Sequence, residues 1–319
     1  VSSDNPIIIV SSNGHRGAIA MMALKLIGYQ DVTNLAGGTD ALAAQLARAN
    51  LSDALALALA ATAGEPLLTP EAAQQALAAG GVTLVDVRPA EAYAAGFIDG
   101  ALNVPLASLV DDLAALGDPA GRLIVVDSSG YHAAIAATAL RVLGYTGATG
   151  LSGGVQGWEV AGLPLVTSPV PQLPAGAAPE VDPKIRDTVT TFLAGVQAEA
   201  WTAVEPAMLA GMAPDSRPPV IDLRPADAYA GGHIEGAVNI PLDKLVSSLD
   251  QLPAAGPVIL VDETGYHSAA AQAALQLLGY TDVRLVAGGM EGWRAEGLPE
   301  AAILFQLTLS PARAVVPES

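Results

Sequence analysis

Residues 123–136 read LIVVDSSGYHAAIA, and the stretch returns twice, as VILVDETGYHSAAA at 258–271 and as IIIVSSNGHRGAIA at 7–20. Each opens on four apolar residues, the length and composition of a strand buried on both faces. Ser or Asp closes the run (Ser11, Asp127, Asp262), two residues intervene, and a glycine follows (Gly14, Gly130, Gly265). A helix-period segment then runs to IGY, LGY and LGY, whose glycines (Gly28, Gly144, Gly279) stand 14 positions beyond the first. After another short strand comes a Gly-Gly pair, at 37–38, 153–154 and 288–289, beginning 23 positions after the loop glycine in every copy. Shared offsets over two intervals mark an internal repeat.

The second and third copies extend upstream in parallel. LVDVRPAEAYAAGFIDGALNVPL at 84–106 matches VIDLRPADAYAGGHIEGAVNIPL at 220–242. Each gives a short buried strand, Arg-Pro, a helical turn ending in Tyr, a glycine-containing loop and a second strand ending at Pro. Pro89 and Pro225 stop the first strand by removing a backbone donor. Apolar runs alternating with helix-period stretches predict an α/β fold, each repeat a mainly parallel sheet with helices on both faces.

Boundaries follow from the repeat. Residues 1–45 hold only the C-terminal half of a unit, and 46–67 read as an Ala-rich helical connector. A full unit covers 68–166, and TSPVPQLPAGAAPEVDP at 167–183 reads as a Pro-rich linker. Residues 184–300 form the last unit, with an extra N-terminal helix. The tail, 301–319, carries an alternating stretch at 303–309 that reads as a strand, paired in its own chain or on a neighbour's sheet edge.

These motifs together resemble the rhodanese-like family, the sulfurtransferase module that also occurs in tandem and in non-catalytic forms. The resemblance rests on the Asp-x-Arg strands (Asp86 to Arg88, Asp222 to Arg224), on GFIDGALNVP and GHIEGAVNIP, on the six-residue loop, and on GGVQGW and GGMEGW. It covers residues 1–45, 68–166 and 200–300. It implies a loop of the form Cys-x-x-Gly-x-Arg, in which backbone amides and a helix N-terminus steady a thiolate or persulfide. Here the cysteine positions hold Ser11, Asp127 and Asp262, and the arginine position holds Arg16, His132 and His267. A carboxylate cannot carry a persulfide. The expectation is therefore a catalytically inactive protein with no catalytic residue, in which Asp127 and Asp262 act as built-in anions that satisfy the loop amides and cap the helix.

The anion-binding candidates are Ser12, Asn13, Gly14, His15 and Arg16 in the first loop, then Gly130, His132, Gly265 and His267. Only the first loop, with Ser11 and Arg16, still suits an external oxyanion or sulfur species. For Asp127 and Asp262 a structural cap outweighs a catalytic acid, because no second carboxylate is nearby in sequence. Asp86, Arg88, Asp222 and Arg224 read as loop ties, and Trp158 and Trp293 as core aromatics.

The composition narrows function further. Net charge is −18, from 32 acids against 14 bases, which disfavours nucleic acid and anionic lipid as partners. The chain has no cysteine and four scattered histidines, so neither a disulfide, a metal site nor another cofactor is expected. The longest apolar run is too short to span a bilayer. A chain opening on Val1 is expected to be processed or incomplete, and GHRGAIAMMALKLIGY at 14–29 resembles rhodanese modules of secreted or lipid-anchored bacterial proteins; with the lack of cysteine, that resemblance implies a bacterial, extracytoplasmic place: periplasmic, cell-surface or secreted. The reading is a binding or structural subunit of a larger assembly, partnered by other protein subunits that include self-assembly and completion of the N-terminal half-unit. Retained sulfur-species or oxyanion binding at Ser11 and Arg16 is the alternative.

Overall fold

The computed structural model describes residues 6–27, 29–173, 176–198, 203–213, 216–253 and 255–302. The first unit has β1 (Ile7–Ile9), α1 (His15–Leu26), β2 (Val32–Asn34) and the long α2 (Gly38–Gly64). The second has α3 (Pro70–Ala79), β3 (Val82–Asp86), α4 (Ala90–Ala94), β4 (Leu102–Asn103), β5 (Arg122–Val126), α5 (Tyr131–Val142), β6 (Ala148–Gly150) and α6 (Gly154–Val160). Helix α7 (Pro183–Ala198) leads to the third: β7 (Ala203–Val204), α8 (Pro206–Ala210), β8 (Val220–Asp222), α9 (Ala226–Gly231), β9 (Val238–Asn239), β10 (Val258–Val261), α10 (Tyr266–Leu277), β11 (Val283–Val286) and α11 (Gly289–Ala295). Expected residues 303–309 lie outside the described residues.

Every strand pair is parallel. The second unit's sheet runs β4-β3-β5-β6 and the third's β7-β11-β10-β8-β9, while β1 and β2 form a two-stranded sheet. Leu68 bridges to Leu151 in parallel, matching the place of β7 beside β11. Parallel strands need helical crossovers, and those helices bury both sheet faces. This is the α/β architecture expected from the alternation of apolar runs and helix-period stretches.

The two complete sheets share a helical layer. Helices α5 and α10 pack on each other, and the apolar residues of α2 (Leu51, Leu55, Ala58, Leu59) and α7 (Ile185, Val189, Leu193) join them in one continuous core. The alanines of α5 and α10 are buried throughout, since only small side chains let two helices and two sheets approach this closely. The outer faces have separate cores, around Phe97 and Trp158 in the second unit and Met290 and Trp293 in the third. The break placed at 45–46 falls inside α2, which continues unbroken from the first unit into the shared layer. No Gly or Pro interrupts residues 39–63, so nothing in the backbone chemistry ends the helix there.

Arg141 ties α5 to α2: its guanidinium donates to Thr62 Oγ1 at 2.5 Å and to Glu65 Oε2 at 2.6 Å. Among the described residues no helix is long and apolar enough to cross a membrane.

Candidate functional site

In each unit the loop after the apolar strand meets the Gly-Gly turn. Gly130 has φ 94°, and a Cβ there would lie 2.7 Å from the Gly153 nitrogen. Both its left-handed backbone and the close approach require glycine. Gly154 is pressed against the Asp127 carbonyl in the same way, and Val155 N–H donates to that carbonyl at 2.8 Å. The 23-residue offset is the distance along the chain between two turns that touch.

Asp127 and Asp262 sit at the mouths of these loops, both fully buried. The Asp127 carboxylate accepts the Gly130 amide at 2.6 Å and the His132 amide at 3.2 Å. Asp262 accepts Gly265 N–H at 2.9 Å, His267 N–H at 3.1 Å, Ser268 N–H at 3.1 Å and Ser268 Oγ at 2.6 Å. The carboxylates fill the amide cradles from inside. His132 and His267 hold their Nδ1 atoms 3.6 and 3.7 Å from the same carboxylates, beyond a good hydrogen bond.

Ser11 takes the corresponding place in the first loop, and among the described residues its Oγ accepts only the Gly17 amide, at 3.1 Å. Asn13 Oδ1 accepts the His15 amide at 3.2 Å. Ser12, Asn13, His15 and Arg16 are exposed and Gly14 is buried. The loop therefore brings Ser11 and Gly17 together but leaves His15 and Arg16 in solvent.

The Asp-x-Arg pairs repeat atom for atom. Asp86 receives Arg88 through Nε at 3.0 Å and Nη2 at 2.7 Å, and Arg88 also donates to the Gly96 carbonyl at 2.7 Å. Asp222 and Arg224 do the same, with Gly232 as the carbonyl. Asn103 Nδ2 donates to the Asp86 and Arg88 carbonyls, and Asn239 Nδ2 to those of Asp222 and Arg224. A buried fork of this kind fixes the loop after the strand and leaves neither charge uncompensated.

Two residues not singled out from the sequence complete the site. Tyr131 and Tyr266 directly follow the loop glycines, and each reaches into the other unit. The Tyr266 hydroxyl accepts Gly150 N–H at 2.8 Å and the Tyr131 hydroxyl accepts Gly288 N–H at 3.2 Å. Burial pushes both phenols above the ordinary 10.0, against the pull of those amides. The signal in the sequence is an aromatic at the same loop position twice, in a chain only 4% aromatic.

Between the facing loops lies a cavity of about 230 Å³, bounded by Gly130, Tyr131, Gly153, Thr264, Tyr266 and Glu291. Glu291 is the charged side chain in that lining, and no Lys, Arg or His faces it, so the space does not suit an anion. Among the described residues no three His, Asp or Glu side chains are grouped to hold a metal ion.

A family model for the rhodanese-like domain matches residues 69–161 and 205–296, more than half of the chain. Among curated proteins, an HTH-type transcriptional regulator of Mycobacterium tuberculosis is 47% identical over 90 residues, covering 27% of this chain and 38% of that protein. A thiosulfate sulfurtransferase of Pseudomonas putida is 36% identical over 83 residues, 26% of this chain and 76% of the enzyme. The chain thus spans well under half of the length of the first relative. Among solved structures, a 3-mercaptopyruvate sulfotransferase of Escherichia coli aligns at 21% identity with a TM-score of 0.35, over 70% of this chain and 98% of that one. A thiosulfate sulfurtransferase of Pseudomonas aeruginosa aligns at 19% with a TM-score of 0.29, over 94% and 79%.

Proposed function

Since the chain belongs to the rhodanese-like domain family, we propose that it is a catalytically inactive tandem member, serving as a binding or structural subunit of an extracytoplasmic assembly. The observation that carries the reading is the state of the loops. Where sulfur transfer needs a thiolate, Asp127 and Asp262 present carboxylates already committed to the loop amides. A carboxylate has no route to a persulfide, and the chain has no cysteine to lend one. The Asp-Arg forks are kept intact, as a scaffold retained for shape would keep them. Lack of cysteine also fits an oxidising compartment, and the charge of −18 favours protein partners over nucleic acid.

The test is a thiosulfate:cyanide sulfurtransfer assay with intact-mass spectrometry of the thiosulfate-treated chain. The expected result is background turnover and no added sulfur atom. Turnover above background, or a sulfur adduct, overturns the reading. Cell fractionation of the native host tests the compartment, which cytoplasmic recovery would refute.

A second reading, oxyanion or sulfur-species binding at the first loop, is favoured by one contrast: among the described residues Ser11 meets one donor where Asp262 meets five. Arg16 stands exposed beside it. Titration calorimetry with sulfate and thiosulfate tests it, with heat lost in Ser11→Asp as the supporting result and no heat at all as the refuting one.

A further inference from the structure

The two complete units face each other across their loops, and matching positions build the space between them. In the repeat register Ser129 aligns with Thr264, Tyr131 with Tyr266, Ser152 with Ala287 and Gln156 with Glu291. The cavity there, about 230 Å³, is smaller than the roughly 300 Å³ at which sites for drug-sized ligands begin. Tyr131 and Tyr266 in its wall use their hydroxyls to accept the Gly288 and Gly150 amides. Ser129 and Ser152 also line it and are half-buried. Among the described residues neither serine hydroxyl has a hydrogen-bond partner in the protein. Both are open to a group that enters.

The charge around this space has one sign. Glu291 stands exposed in the lining, where the sister unit has the neutral Gln156. Burial raises the Tyr131 phenol most, and Asp262, Glu205 and Asp127 add to it against the Gly288 amide. Three carboxylates besides Glu291 therefore act on the cavity wall. The guanidinium groups that reach Glu263 in the third unit's loop are already paired: Arg224 with Asp222 and Glu263, Arg294 with Glu263 and Glu300. A small concave space with open hydroxyls, a negative potential and no cation in its wall selects a small cation. The described residues group no three carboxylate or imidazole ligands for a metal ion. An ammonium group fits instead, since its N–H donors match hydroxyl and carboxylate oxygens.

We propose that the cavity between the facing loops binds a small aliphatic amine in its protonated form, with the Glu291 carboxylate and the Ser129 and Ser152 hydroxyls as acceptors. An alkylammonium is charged at neutral pH as a lysine side chain is, and the tyrosines of the wall offer apolar surface to its methylenes. The inference goes beyond catalytic inactivity and does not rest on it. The loop interiors are filled by Asp127 and Asp262, whereas this space lies outside them, between the two units.

The experiment is titration calorimetry of the full chain with putrescine, 1,4-butanediol and succinate, chains of equal length that carry positive, no and negative charge. Putrescine should bind and the other two should give no heat. Glu291→Gln should weaken putrescine about tenfold, and Ser152→Ala by a few-fold. Both variants install the residue found at the same place in the sister unit, so the fold accommodates them. Amide NMR should place the largest putrescine shifts at Gly130, Gly153 and Thr264. No heat with putrescine overturns the proposal, including the case in which a blocked Gly-Lys-Gly peptide binds instead and a partner's lysine is the occupant. Butanediol binding as tightly as putrescine also overturns it, and so does unchanged affinity in Glu291→Gln. An equal loss in Glu71→Gln, on the exposed face of α3, would mean diffuse attraction to an acidic chain and would refute a site. The sulfurtransfer assay reads a different property, so failure of either idea is visible separately.

Discussion

The Tyr266 hydroxyl lies 2.8 Å from the Gly150 amide nitrogen and accepts its proton, so the third unit's loop helix completes a strand end in the second. A Cβ at Gly150 would meet that hydroxyl at 2.7 Å, which leaves glycine as the residue that fits. Tyr266→Phe strands the Gly150 N–H in a buried place. The expected cost is about 1–3 kcal/mol in urea unfolding. Tyr131→Phe, whose contact is longer and half-buried, should cost less. Equal midpoints for wild type and Tyr266→Phe would refute the latch.

The internal anions predict an order. Asp262→Ala removes an acceptor from four amides and a hydroxyl, and Asp127→Ala from two amides. Both variants should melt at lower temperature, with losses of about 3 and about 2 kcal/mol. Calorimetry that finds no fall, or the reverse order, contradicts the built-in anion.

The Asp-Arg forks should be intolerant even of charge-conserving change. Arg88→Lys and Arg224→Lys keep the charge but lose the planar pairing and the reach to the Gly96 or Gly232 carbonyl. Replacement by Ala leaves a buried carboxylate unpaired, at about 3–5 kcal/mol. Denaturant titrations in which Lys matched Arg would show that the fork geometry is unimportant.

Stability should decline on the alkaline side. Burial raises the Tyr266 and Tyr131 phenols in the folded chain. Above the unfolded value of 10.0 the unfolded chain loses protons that the folded chain retains, so stability present below pH 10.0 is lost as pH climbs toward the folded values. Phenylalanine at both positions should flatten the pH dependence above 10.0 relative to wild type, read by thermal melts. An unaltered slope would contradict the burial of these phenols.

Thiols placed at the three loop positions should differ in reach. Ser11 is half-exposed, whereas Asp127 and Asp262 are buried. Ser11→Cys should therefore alkylate with iodoacetamide at least about tenfold faster than Asp262→Cys. Comparable labelling rates would mean that the facing loops open readily.

Much of this architecture was legible before any coordinates. The three apolar runs become β1, β5 and β10, and the glycine offsets become contacts between turns, because short-range chemistry decides both. The Asp-Arg ties also follow from local spacing: two positions put both side chains on one side of a strand end. The tyrosine exchange was not legible, since it depends on α5 docking against α10, a relation between residues more than a hundred positions apart that no periodicity encodes. The continuity of α2 across 45–46 belongs with it, because Leu51, Leu55, Ala58 and Leu59 are buried in a core shared with α5 and α10, and that packing is long-range.

Helix α2 gives the molecule a mechanical property. Its 27 residues make a rod of about 40 Å, with one end in the first unit and the other clamped by Arg141 between two sheets. The first unit is thus joined to the shared helical layer by one continuous helix, with no Gly or Pro over residues 39–63 to bend it.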